Sequence, residues 1–365
     1  MEFVDSETQR LLRSTARSYL ADACPWERLF RIESGEEPLT EADVHELADL
    51  GWFGLLVPEP EGGGASLLDA AAVIEEVGYA GVPSPIAPAN VAAWLLRNAH
   101  APPEHLADLS SGTRLVTVAE ATRGHAPDAA ITAAGGKLTG ALPLVPFADL
   151  SAFVLAPLLI DGEPAFAALP LANAELTPAH LIDRRCYAGV RWRDASLGDA
   201  VVLATGRDAG GLRERCEALV TAFSVIEAVG MMQRVLEMTT THISTRQQFG
   251  QPVAKFQAAR HRAAELLMQV ESTRWAAYHA LWRFEADPNE RDEIWLTKHW
   301  AIRAADRVFQ ISHLLHGGVG VGMEHPLHLF TQGVSAFAVR GGTMNEMVAR
   351  TLGSLHLTAP LEANA

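Results

Sequence analysis

From Leu212 onward, apolar residues recur every three or four positions. Leu219, Phe223, Ile226, Val229, Met232, Leu236 and Ile243 form one stripe. Phe256, Ala259, Ala263, Leu267 and Val270 form a second, and Thr297, Ala301, Ala304, Val308, Ile311 and Leu315 a third. This is the period of an α-helix with one covered face. Pro252 and Asp287-Pro288-Asn289 separate the stripes, because proline lacks an N–H and clashes inside a helix. Three long helices with short breaks predict a helical bundle.

Upstream the pattern shortens. Leu115–Val118, Ala130–Ala133, Ser151–Leu155 and Ala165–Leu169 are brief apolar runs about ten residues apart. Gly135-Gly136-Lys137, Pro143, Asp161-Gly162 and Pro164 punctuate them. Such spacing predicts strands of a small β domain. Before them the chain reads helical. Thr40-Glu41-Ala42-Asp43 and Ser66-Leu67-Leu68-Asp69 are capping-box signatures, in which a side-chain oxygen takes up an unbonded N–H of the first turn. One helix should end at Gly51, and Gly62-Gly63-Gly64 marks a loop. The expected division is 1–111 helical, 112–206 β and 207–365 helical bundle, an α+β chain. That order disfavours a doubly wound α/β fold, in which strands and helices alternate.

The chain has 365 residues, enough for two or three domains, with 48% hydrophobic and 20% charged residues, a globular balance. The excess of 44 Asp and Glu over 29 Lys and Arg leaves a net charge of −15, which argues against a nucleic-acid partner. Cys24, Cys186 and Cys216 lie far apart without CxxC spacing, so three free thiols and no bound metal are expected. The start, Met1 to Ser14, is charged from Glu2 and has no apolar leader run. The apolar stretch Ser151–Ala172 is broken by Pro157, Asp161, Glu163, Pro164 and Pro170, so no membrane span is expected there and a cytoplasmic location is. The pair Glu75-Glu76 reads as a solvated helix face.

Three segments could carry chemistry. Arg246-Gln247-Gln248-Phe249-Gly250-Gln251-Pro252, with Lys255-Phe256-Gln257 after it, puts an arginine at a helix end, where its planar fork can grip a pyrophosphate. His316-Gly317-Gly318-Val319-Gly320-Val321-Gly322 clusters glycines that admit a ligand close to the backbone. It follows a helix and has Met323 where GxGxxG needs glycine, so it is not a Rossmann fingerprint. Arg340-Gly341-Gly342-Thr343 precedes a helix, with Thr343 as its cap.

Together with Leu50-Gly51-Trp52 through Pro58-Glu59 and Glu75-Glu76, these segments resemble the acyl-CoA dehydrogenase family in order and spacing over nearly the whole chain. The resemblance implies an N-terminal helical domain, a middle β-barrel-like domain and a C-terminal four-helix bundle. It implies a tetramer binding FAD across a subunit interface. Arg246 would meet the pyrophosphate, with Phe249 and Gln257 beside it; Gly317 and Gly318 would line the adenosine side; Thr343 would sit near the diphosphate or ribityl chain. The family substrate is an acyl-CoA thioester. A carboxylate removes its α-proton while the β-hydrogen leaves as hydride to the flavin, and an electron-transferring flavoprotein commonly reoxidises that flavin.

The sequence departs from the pattern where that carboxylate belongs. The usual base position, directly before the Gly-Thr pair, is Gly341. A branch of the family carries its base on the first bundle helix, near Val220 here; Glu217 lies three residues earlier and is the candidate catalytic base. The flavin-contacting Thr-Glu-Pro motif reads Ala119-Glu120-Ala121, a usual Gln is Leu314, and a usual Arg is Thr221. Three readings follow: a subunit of a mixed α2β2 tetramer, as used in the family for bulky steroid side-chain thioesters; a self-sufficient homotetramer using Glu217; and a flavin-free scaffold.

Overall fold

The computed structural model describes residues 4–119 and 131–354. It opens with six helices: α1 (Glu7–Ala23), α2 (Trp26–Ser34), α3 (Glu41–Asp49), α4 (Leu67–Ala80), α5 (Ile86–Asn98) and α6 (Pro103–Ser110). The expected boxes are formed: Thr40 and Asp43 cap α3 reciprocally, and Ser66 and Asp69 do so for α4. Gly51 stands just past α3 at φ +75°, the left-handed turn that stops the helix.

Eight strands follow: β1 (Val116–Val118), β2 (Thr132–Ala134), β3 (Lys137–Pro146), β4 (Phe153–Ile160), β5 (Glu163–Pro170), β6 (Glu175–His180), β7 (Cys186–Ser196) and β8 (Val201–Thr205). They form one sheet in the order β6-β7-β3-β2-β4-β5-β8, with β1 parallel to β4 and Val116 opposite Phe153. The barrel-like region thus has β6 and β8 as its two ends among the described residues. The four expected runs all contribute strands. Four further strands, β3, β6, β7 and β8, are additions. Gly140 and Pro143 interrupt β3 and shift its register against β7, which hides it from a pattern search. In β7, Val190 and Trp192 point inward while Arg191 points out, the alternation that marks a half-buried strand.

The C-terminal part starts six residues before Leu212, with α7 (Gly206–Thr245). A two-residue hairpin, β9 (Gln247–Gln248) and β10 (Gln251–Pro252), leads to α8 (Gln257–Ala286), α9 (Asp292–His316), α10 (Leu327–Phe337) and α11 (Met344–Ser354). The breaks fall at the predicted prolines. α7 is long and apolar enough to cross a membrane, yet 83% of its most apolar window is buried within the protein. It is apolar because α4, α8, α9 and α10 cover it.

One apolar core joins the N-terminal helices, β1 and the bundle. Its tightest crossing is between α4 and α7. A Cβ on Gly78 would fall 1.9 Å from the Glu227 carbonyl oxygen, and one on Gly230 would fall 1.9 Å from that of Glu75. Glycine there lets two helix backbones touch.

That crossing overturns the solvated reading of Glu75-Glu76, which are 4% and 1% exposed. Glu76 accepts from Arg13 at 3.1 Å and from Arg17. Glu75 accepts from Arg274 at 3.0 Å and from the Tyr278 hydroxyl at 2.8 Å. The pair ties α1 and α8 to α4. Buried carboxylates survive because each is paired and hydrogen-bonded.

Candidate functional site

The sequence-selected residues fall into two groups, one around the C-terminus of α7 and one beside its first half. The first surrounds its C-terminus. Arg246 is the C-cap residue, its N–H bonded to the His242 carbonyl at 2.8 Å, and its side chain is exposed with no ion pair among the described residues. Its carbonyl accepts from the N–H of Val253 at 2.9 Å, closing the hairpin. Phe249 holds φ +53° at the turn, is 92% exposed, and meets Phe256 edge-on at 6.2 Å. Gln257 opens α8 and is exposed.

Gly317 and Gly318 reach the same end. One turn before Arg246, the His242 ring stacks on His316 at 4.5 Å, and His325 packs on His316 at 4.9 Å. His316 directly precedes Gly317, whose φ of +61° and ψ of −141° need a glycine. A Cβ on Gly317 or Gly318 would meet nothing within 4 Å, so the backbone there lies open. Burial lowers the His316 pKa to about 4 and also lowers His242, which feels the Arg246 charge as well. The stack is therefore neutral at pH 7, and the adjacent cation is Arg246. An exposed guanidinium, an exposed aromatic ring and an open glycine backbone suit a phosphate-bearing nucleotide.

The second group lies beside the first half of α7, at Glu217 and Thr221. Gly341 holds φ +67° against α7, and a Cβ there would stand 3.1 Å from the Thr221 hydroxyl oxygen. Thr343 caps α11 in a reciprocal box with Glu346, as its N-cap role requires. Glu217, one turn before Thr221, accepts from Arg350 of α11 at 2.7 Å and has Arg213 at 3.8 Å. Val220 lines a small cavity between the N-terminal helices, the sheet and the bundle, with Val91, Val118, Arg185, Ser224 and Arg340. The Ala119-Glu120-Ala121 stretch lies, from Glu120 onward, outside the described residues. Leu314 is 65% exposed on α9.

Helix length separates the groups. Arg246 stands 25 positions after Thr221 along α7, a rise of about 37 Å. Arg246, Phe249, Gln257, Gly317 and Gly318 come together; Gly341, Thr343 and Glu217 come together elsewhere.

Sequence reasoning missed the charged cluster beside Gly341. Glu227 of α7 accepts from Arg185 at 2.6 Å and from Arg340 at 3.4 Å, and Asp183 lies 3.6 Å from Arg185. The two arginines hold the Glu227 carboxyl below the ordinary carboxylate range against the opposing effect of burial. Glu227 sits among apolar neighbours on a fully covered stretch of α7, and that is the one signal of its burial the sequence carries. It does not say what neutralises it.

Residues 6–101 match the family profile "Acyl-CoA dehydrogenase, N-terminal domain", and residues 220–353 match "Acyl-CoA dehydrogenase, C-terminal domain", together more than half of the chain. The chain is 27% identical over 354 residues to acyl-CoA dehydrogenase IpdE2 of Mycolicibacterium smegmatis, covering 94% of this chain and 98% of that protein. Its fold is similar to a chain of the ChsE4–ChsE5 complex of Mycobacterium tuberculosis, with TM-score 0.87, 24% identity and coverage of 99% and 100%. It is also similar to a glutaryl-CoA dehydrogenase of Mycobacterium smegmatis in complex with FADH2, with TM-score 0.85, 16% identity and coverage of 98% and 97%.

Proposed function

The chain belongs to the acyl-CoA dehydrogenase family, and within it we propose an FAD-binding subunit of a hetero-oligomeric acyl-CoA dehydrogenase, with the proton-accepting carboxylate supplied by a homologous partner subunit. The observation that carries this reading is the corner at Gly341. The usual base position has no side chain, and the α7 carboxylates on either side of Thr221, Glu217 and Glu227, are both bound to arginines. A weak carbon acid needs a carboxylate in direct contact with it, and Glu217 and Glu227 are each engaged by an arginine instead.

The retained nucleotide residues support a flavin role over a bare scaffold. Arg246 would hold the pyrophosphate, Phe249 and Gln257 would flank it, and Gly317 and Gly318 would admit the adenosine side; when bound, FAD supplies the hydride acceptor. The separation along α7 of Arg246 from Thr221, which faces the Gly341 turn, supports a cofactor shared by two protomers, each giving a different part of its bundle. The structural relative built from two different chains supports a mixed assembly.

The test is co-production with a base-bearing homologue. We expect dehydrogenation of an acyl-CoA from the pair and none from the chain alone; robust turnover by the chain alone removes the proposal. The alternative, a self-sufficient enzyme using Glu217, draws on the position of Glu217 one turn from Thr221. It requires Glu217→Gln to abolish turnover with flavin still bound.

A further inference from the structure

We infer that the buried Arg185–Glu227–Arg340 cluster plugs this chain's own acyl pocket, so that its own Gly341 corner admits no acyl group. The inference rests on the proposed function, which places the thioester's reacting carbons at that corner. Two independent base positions, Gly341 and the neighbourhood of Val220, converge there: position 341 faces Thr221, and Val220 lines the adjoining cavity. A base at either position would aim at the same place.

That place is almost filled. The cavity holds about 20 Å³ of free space, room for roughly one water and too little for an acyl chain. Its polar wall comes from three elements. Arg185 enters from the residue before β7, Arg340 from the turn before α11, and Glu227 of α7 joins them at 2.6 and 3.4 Å. Asp183 backs Arg185 at 3.6 Å and accepts from the Tyr187 hydroxyl at 2.9 Å. Arg185, Glu227 and Asp183 are 4%, 5% and 6% exposed. An apolar acyl chain could enter only by breaking charge-assisted hydrogen bonds where water cannot replace them, and it offers the freed charges nothing in return. Arg340 directly precedes Gly341, so the plug and the missing carboxylate sit on one turn.

Binding measurements test this without turnover. The purified full chain is titrated calorimetrically with octanoyl-CoA and with free CoA. We expect the wild type to bind octanoyl-CoA no more tightly than CoA, and Arg340→Ala to bind octanoyl-CoA at least tenfold more tightly. Arg340→Ala leaves Glu227 paired with Arg185, whereas Arg185→Ala strands a buried carboxylate. A second variant, Asp183→Asn/Arg185→Met/Glu227→Leu/Arg340→Ala, removes the whole cluster, including the carboxylate behind Arg185, without stranding a charge, and thermal melts check that both variants fold. A tenfold preference for octanoyl-CoA already in the wild type overturns the inference. So does its absence in both folded variants. Acyl-dependent wild-type binding without turnover sinks the plug alone; turnover by the lone chain sinks the proposed function as well.

Discussion

A side chain at position 341 would point its first carbon at the Thr221 hydroxyl, 3.1 Å away, from a backbone held at φ +67°. Restoring a carboxylate is therefore not a one-residue change. We predict that Gly341→Glu alone gives the lone chain no turnover and lowers stability by about 1–2 kcal/mol through the left-handed conformation. Thermal melts and a dehydrogenation assay on the single variant check both parts.

The Arg246 side chain is exposed and makes no ion pair among the described residues; only its backbone takes part in the α7 cap and the hairpin. Arg246→Ala should leave unfolding free energy within about 0.5 kcal/mol of wild type while reducing retained flavin in the assembled protein. Visible absorbance after gel filtration reports the second effect, and unchanged colour would count against the pyrophosphate role.

Glu76→Gln should be costly, since it removes the carboxylate that Arg13 and Arg17 share. We expect a loss of about 2–3 kcal/mol in chemical denaturation, below the full figure for a broken buried pair because the Arg17 side chain is 42% exposed. A solvated carboxylate would give almost no change.

The α4–α7 crossing is as strict as a backbone contact can be. Gly78→Ala sets a methyl against the Glu227 carbonyl, and the helices must part. A loss of about 3 kcal/mol, the upper range for overpacking, is expected. Gly353→Ala, with nothing within 4 Å, is the control that should be nearly neutral.

His316 makes stability depend on pH. Its folded pKa, about 4, lies below the ordinary 6.5, so the unfolded chain takes up the proton first as pH falls. Its contribution is fully present above about pH 6.5 and is lost progressively toward pH 4. His316→Asn should flatten melting temperature across that window, and a wild-type profile that is already flat there would contradict the assignment.

Much of this architecture is legible in local pattern. The three-to-four spacing of Leu219 through Ile243 becomes α7, Pro252 and Pro288 fall in the connections between helices, and Thr40 and Ser66 cap the helices they precede. These features act over a few neighbouring residues, so the order of side chains is sufficient information. The proposed nucleotide contacts share that property in part: Arg246 and Phe249 lie on one short connection that Gln257 follows, and an arginine at a helix end already suggests an anion, whereas the roles of Phe249 and Gln257 come from the family resemblance. The strand β3 was hidden because Gly140 and Pro143 broke a rhythm that its pairing with β7 tolerates.

Other features arise from residues that are remote along the chain and adjacent in space. Glu75-Glu76 looks like any charged helix face until Arg13, Arg17, Arg274 and Tyr278 close on it. Gly78 and Gly230 become indispensable because two helices cross there. Glu227 finds Arg185 and Arg340, 42 and 113 positions away. Hydrophobic periodicity states which face of a helix is covered and leaves open by what, because burying a charge is decided by whichever opposite charge the fold delivers to it. The family resemblance and the missing carboxylate at Gly341 could be read residue by residue; the pairing that fills the space beside it could come only from three elements meeting.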